Sequence, residues 1–276
     1  MTTRDLLLHA WQPGLVVPSI CAVTLAIYFG VGPARRTPQR LCFVGAVGLF
    51  FVALASPIGV LARGYLFSAH MLQHLILLLA VPPLVLLGIR GQPDSLAARE
   101  DASAPRERRA RYLGPWLAGV GAMWLWHERS LCNAAATSAT MAWIQTASLI
   151  GMGLLFWRPI LLGGARAAPL AAVAYLFTAC LACTVLGILV TFSPVQVCNV
   201  YAHPVDRLGI LPLLRDGWGL SPRSDQQLGG LMMWIPTCLV YGAAILATLG
   251  RYYGGEAAPS LVPARAAPHR TAAGMK

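Results

Sequence analysis

The chain has 276 residues, 57% of them apolar and 11% charged, with a mean hydropathy of +0.63. A soluble domain carries about a quarter charged residues, so this composition excludes a water-soluble globule, a disordered chain and, despite a net charge of +11, a nucleic-acid binder. Apolar runs of about 20 residues recur along the chain, the mark of a polytopic helical membrane protein, and the short alternating strands of a transmembrane barrel are missing from the sequence.

In chain order the runs are Leu15–Val31, Leu41–Leu61, Leu66–Gly88, Leu113–Trp126, Met141–Leu162, Pro169–Phe192 and Gln227–Leu249, each bounded by Arg, Pro or Gly. The expected fold is therefore all-α: a polytopic membrane helix bundle of seven transmembrane helices. The fourth run is the short one, about 14 residues and about 21 Å against a hydrocarbon core of about 30 Å. It would cross by thinning the bilayer, or by carrying Trp126-His127-Glu128-Arg129 into the outer headgroup layer.

Charge fixes the expected orientation. With the N-terminus outside, the inner segments hold 15 cations against five acids, and the outer ones six against five. Net +10 inside and +1 outside satisfies the positive-inside rule for N-out, C-in. Leaving out the fourth helix would put the Arg-rich loop and the C-terminal tail on opposite sides. Residues 1–255 read as one seven-helix domain with a cytoplasmic loop at 89–112, and 256–276 as a basic, disordered tail; both basic segments suit contact with anionic lipid. No cleavable signal peptide is expected, because Arg35-Arg36 follows the first run instead of preceding it.

Polar groups inside a bilayer are expensive and therefore informative. In this topology His70 and His74 enter the third helix from the outer face, His127 ends the fourth, and Asp225-Gln226-Gln227 opens the seventh. His9 and His203 are also external, and His269 is cytoplasmic. Spacing i, i+4 puts His70 and His74 on one helix face about 5–6 Å apart, as two imidazoles offered to one metal ion. The pair cannot give opposite axial ligands to one haem. His127 or Asp225 would complete the set, with Met71, Met232 and Met233 as soft thioether donors for Cu(I). Met71 lies about 100° around the helix from His70, a poor angle for sharing that ion. Two plainer readings stand beside this: interfacial histidines that hydrogen-bond to headgroups, water or carbonyls, and Asp225 as an N-terminal cap of helix seven.

Pro82-Pro83 and Pro236 mark kinks in helices three and seven. Cys180 and Cys183 form a C-x-x-C in helix six, explained either as small packing residues or as thiols that hand on copper. Cys132 and Cys198 fall in outer loops, where a disulfide can form. No phosphate-binding glycine loop and no nucleophile-base pair is present, so no enzyme activity is expected.

The blocks FSAHMLQHLILLLAVPPLVLLG (67–88), WH (126–127), LLFWRPIL (154–161) and WGLSPRSDQQLGGLMMWIP (218–236) resemble the CtaG-type family of cytochrome c oxidase assembly factors, the polytopic family required for caa3-type oxidases. The resemblance spans roughly residues 11–250. It implies a multi-pass protein of the bacterial plasma membrane that serves the respiratory chain, with oxidase subunits and lipid as partners and copper as the suspected cargo. It carries His70, His74, His127 and Asp225 onto the family's histidines and helix-seven acid. A second family H-x-x-x-H, early in helix five, is replaced here by Ala142 and Thr146, and the proline that usually follows the family WH by Arg129. A transporter for a metal ion or small solute, and a b-type haem protein, are the competing classes. The apolar stretch Ile76–Val81 below His74 argues against a solute pathway.

Overall fold

The computed structural model describes residues 2–31, 35–90, 105–162 and 169–256, with the backbone alone for 105–110 and 254–256. The protein is all-helical, with no strand among the described residues. The long helices are α2 (Val16–Gly30), α3 (Thr37–Ala55), α5 (Phe67–Ile89), α6 (Pro105–Trp126), α8 (Ala139–Leu161), α9 (Pro169–Phe192) and α11 (Pro222–Glu256). Between them lie α1 (Thr3–His9), α4 (Pro57–Ala62), α7 (Arg129–Thr137), α10 (Asn199–Ala202) and a π-turn at Leu213–Gly217.

Five helices, α3, α5, α8, α9 and α11, are long and apolar enough to cross a membrane, which makes this a multi-pass membrane protein. The 15-residue α2 is apolar but shorter. The fourth run differs from expectation. Its helix starts at Pro105 and has 22 residues, about 33 Å, because the basic stretch ahead of Leu113 is helical too. The Trp126-His127 pair is drawn into the protein: both side chains are buried, and the Trp126 indole donates to Ser148 Oγ at 2.8 Å. The tail beyond residue 256 and most of the loop expected at 89–112 lie outside the described residues.

The helix that carries His70 and His74 is the most enclosed. Of its apolar window 56% is buried, against 22–39% for the other four spans. Those outer helices turn apolar stripes outward, as Leu170, Phe177, Leu181, Val185 and Leu189 do on α9, an arrangement stable only in lipid. The helices alternate in direction. At one rim the Tyr28 hydroxyl donates to the Gly88 carbonyl at 2.9 Å, and Phe43 packs on Gly88. At the other rim the start of α5 meets the ends of α3 and α6 and the start of α11. That second rim is closed by a small apolar cluster that includes Leu6, Tyr65, Ile210 and Leu214, and by the Cys132–Cys198 disulfide, which ties α7 to the segment before α10.

At two prolines a side chain from a neighbouring helix takes over the carbonyl that the missing N–H leaves free. Pro57 has no N–H for the Ala53 carbonyl, which instead receives the Gln73 amide at 2.8 Å. Pro82 likewise frees the Leu78 carbonyl, which receives the Trp157 indole at 3.3 Å. The strain of Pro82-Pro83 is taken up by a π-turn at Ile76–Ala80, where Val81 N–H reaches back to Ile76. Gly153 lets α8 lie against this joint, since a Cβ there would stand 2.6 Å from Pro82 Cγ. Gly153→Val should therefore destabilise the protein by about 1–3 kcal/mol and lower its thermal midpoint in detergent. Gly151→Val, at an exposed site with nothing within 4 Å, should leave the midpoint nearly unchanged.

Candidate functional site

Asp225 is fully buried at the start of α11. The expected cap role falls on another helix. Ser221 caps α11, accepting from Ser224 N–H at 3.1 Å. The Asp225 carboxylate crosses to α5, accepting from Phe67 N–H at 2.7 Å, Ser68 N–H at 3.0 Å and the Ser68 hydroxyl at 2.5 Å. It thus satisfies two amides that the first turn of α5 leaves free and places negative charge at the positive end of that helix dipole. This fixes the height and rotation of the turn that bears the histidines.

From that turn three imidazoles run in a row towards α6. His70 and His74 have ring centroids 4.3 Å apart, and His74 and His127 5.6 Å. The row begins at Tyr201, whose ring is 5.7 Å from His70 and whose hydroxyl donates to the Ala62 carbonyl at 2.8 Å. All three histidines are buried, and no ring is turned to lipid. His9 and His203 are exposed and stand apart from the row; His269 lies outside the described residues.

The ring nitrogens are poorly served by the protein. His127 Nδ1 lies 2.5 Å from the Met123 carbonyl, so it carries the proton and Nε2 carries the lone pair. That lone pair faces Met71 Sδ at 3.0 Å. Two electron-pair donors thus point at each other with no proton between them. His70 Nε2, both nitrogens of His74 and the Gln145 amide nitrogen are buried without a hydrogen-bond partner. Each such group costs about 1–3 kcal/mol when left unmet. The donor set of imidazole nitrogens and a thioether suits a soft cation, and a carbonyl such as that of Met123 on Nδ1 is the usual way to orient a ligating imidazole. Among the described residues, however, no three His, Cys, Asp or Glu side chains are grouped so as to hold a metal ion. The imidazoles lie side by side instead of around one point.

The other sequence candidates fall as follows. Met71 turns away from the His70–His74 face, as its angle requires, and meets His127 instead. Met233 is fully buried in the same core as Met71 and Trp126, and Met232 packs at its edge. Thr146, standing where a histidine was expected, spends its hydroxyl on the Ala142 carbonyl at 2.8 Å. One residue earlier, Gln145 is the polar side chain of α8 that faces His74. Sequence reasoning missed it, although a glutamine in an apolar run was a visible signal. The turn after His127 is held by Glu128, which accepts from Ser130 N–H at 2.9 Å and Leu131 N–H at 3.1 Å. Those bonds, the Ser130 hydroxyl first among them, keep its carboxyl below the usual carboxylate range. A cleft of about 490 Å³, walled by Leu186, Leu189, Val190, Phe192 and Val197, opens beside His127.

Asp225→Ala should strand the Phe67 and Ser68 amides at a loss of about 1–3 kcal/mol per group, read as a lower thermal midpoint. Asp225→Asn, which keeps one acceptor, should fall between that variant and the native protein.

A family model described as cytochrome c oxidase caa3 assembly factor (Caa3_CtaG) matches residues 26–254, most of the chain. No curated protein and no solved structure gives a significant match.

Proposed function

The chain belongs to the cytochrome c oxidase caa3 assembly factor family, and on that premise we propose that it carries copper for a haem-copper oxidase on His70, His74, His127 and Met71. It acts without catalysis, as a seven-span, N-out protein of the bacterial plasma membrane, with oxidase subunits and lipid as its partners. The observation that carries this reading is the row of buried imidazole nitrogens without partners, ending at a lone pair that faces a thioether. The imidazole lone pairs and the Met71 thioether are together a soft donor set, and that softness favours Cu(I).

The rest of the reading follows from where the row sits. It lies at the rim that carries the Cys132–Cys198 disulfide, and disulfides belong to oxidising compartments. The charge bias assigns the same rim to the outside. Asp225 is given a positioning role, because both of its oxygens already serve α5. Cargo on soft ligands would be released by exchange with a donor atom of the oxidase.

Metal analysis tests the site. Purified protein should retain Cu(I) through gel filtration, and the His70→Ala/His74→Ala double variant should lose it. In a deletion strain, haem-copper oxidase activity should fall in copper-poor medium and recover with added copper. The double variant should behave like the deletion. Equal copper in the two proteins, or native oxidase levels in the deletion strain under both conditions, would overturn the proposal.

A further inference from the structure

The C-x-x-C of α9 divides its two thiols between different neighbours. Cys183 is buried and turned to Tyr241. Cys180 points across to α11, where its sulfur stands 3.2 Å from that of Cys238. Thr184 Oγ1 lies 3.3 Å from the same Cys238 sulfur and holds it in place. Cys180 and Cys238 are both half-buried, so a hydrocarbon-soluble molecule can reach them. They join the most closely packed pair of helices in the protein. A Cβ on Gly187 would stand 2.9 Å from the Gly230 carbonyl, and Gln226 of α11 donates to the Val190 carbonyl of α9 at 3.3 Å.

We infer that Cys180 and Cys238 are a redox-modification site that closes to a disulfide between α9 and α11. Closing from 3.2 Å to a bond of about 2.05 Å moves each sulfur by roughly 0.6 Å, within the reach of side-chain rotation. The surroundings select this chemistry over metal binding. Two thiolates around a monovalent cation would leave a net negative charge among apolar side chains, which the membrane interior penalises. A disulfide leaves none. The two S–H bonds break and one S–S bond forms. Two electrons and two protons pass to a membrane-soluble quinone, whose two carbonyl oxygens become the hydroxyls of the hydroquinone. Oxidation therefore ties together the helices that are otherwise held by packing and by Gln226, about 20 Å along α11 from Asp225. None of this depends on copper being the cargo.

The test treats the full-length protein in proteoliposomes with a fully substituted short-chain benzoquinone, which cannot add to thiols. The protein is then denatured and its remaining thiols counted by maleimide mass-tagging. The five free cysteines, Cys21, Cys42, Cys180, Cys183 and Cys238, should fall to three and return to five with dithiothreitol. Peptide mapping should find the Cys180 peptide joined to the Cys238 peptide. Cys183→Ala should still lose two thiols, and Cys180→Ala or Cys238→Ala should lose none. Five reactive thiols after oxidation, a Cys180–Cys183 link, or a loss that dithiothreitol does not restore would overturn the inference.

Discussion

One buried carboxylate sets the position of the histidine-bearing turn at the rim where α5 begins. Asp225 is contributed by the last long helix and spent on the first turn of the third, 158 positions earlier in the chain. A lone ionised carboxylate would be ruinous at such depth. Here it is matched by two backbone amides, a hydroxyl and the helix dipole, so its negative charge rests on fixed partial charges and not on a mobile cation. The same bonds engage both carboxylate oxygens with the turn that leads to the histidines.

The prolines tell a related story. Pro57 and Pro82 each free a carbonyl, and each of these two is met by a side chain from one of the sequence blocks of the family resemblance. Gln73 stands between His70 and His74 in HMLQH, and Trp157 is the tryptophan of LLFWRPIL. Residues that read as site decoration along the chain are thus also the parts that close the backbone's hydrogen bonding. Packing and site share one set of positions, and for that reason α5 can be both the most enclosed helix and the one with the most buried polar atoms.

Much of this was legible in the sequence, because a bilayer imposes blunt rules. Hydrophobic length located the long helices, closely at Leu66–Gly88 and Pro169–Phe192, while the second run overran the helix end at Ala55 and the seventh fell short of Pro222–Glu256; Pro82-Pro83 marked the distortion of helix three, and the i, i+4 spacing put His70 and His74 on one face. The alternation of the runs put His127 at matching depth. What was not legible needed a partner. Nothing local says that Asp225 caps a helix other than its own, that Cys180 faces Cys238 instead of Cys183, or that Gln145 and not Thr146 meets His74. The fourth run, α6, shows the other limit. Its basic first turns broke the hydropathy signal that marks a span, and its helix was judged by its apolar portion alone.

The π-turn at Ile76–Ala80 divides α5 into two independently keyed halves. One residue more per turn advances the phase of all that follows by about 100°. The upper half is clocked by the Asp225 grip, which aims the imidazoles, and the lower half by Gly153 and Trp157, which seat the prolines. A single-residue deletion in this turn would let ordinary α geometry return, yet it would force one of these two registers to give way. The imidazole row therefore owes its aim partly to a joint that it never touches.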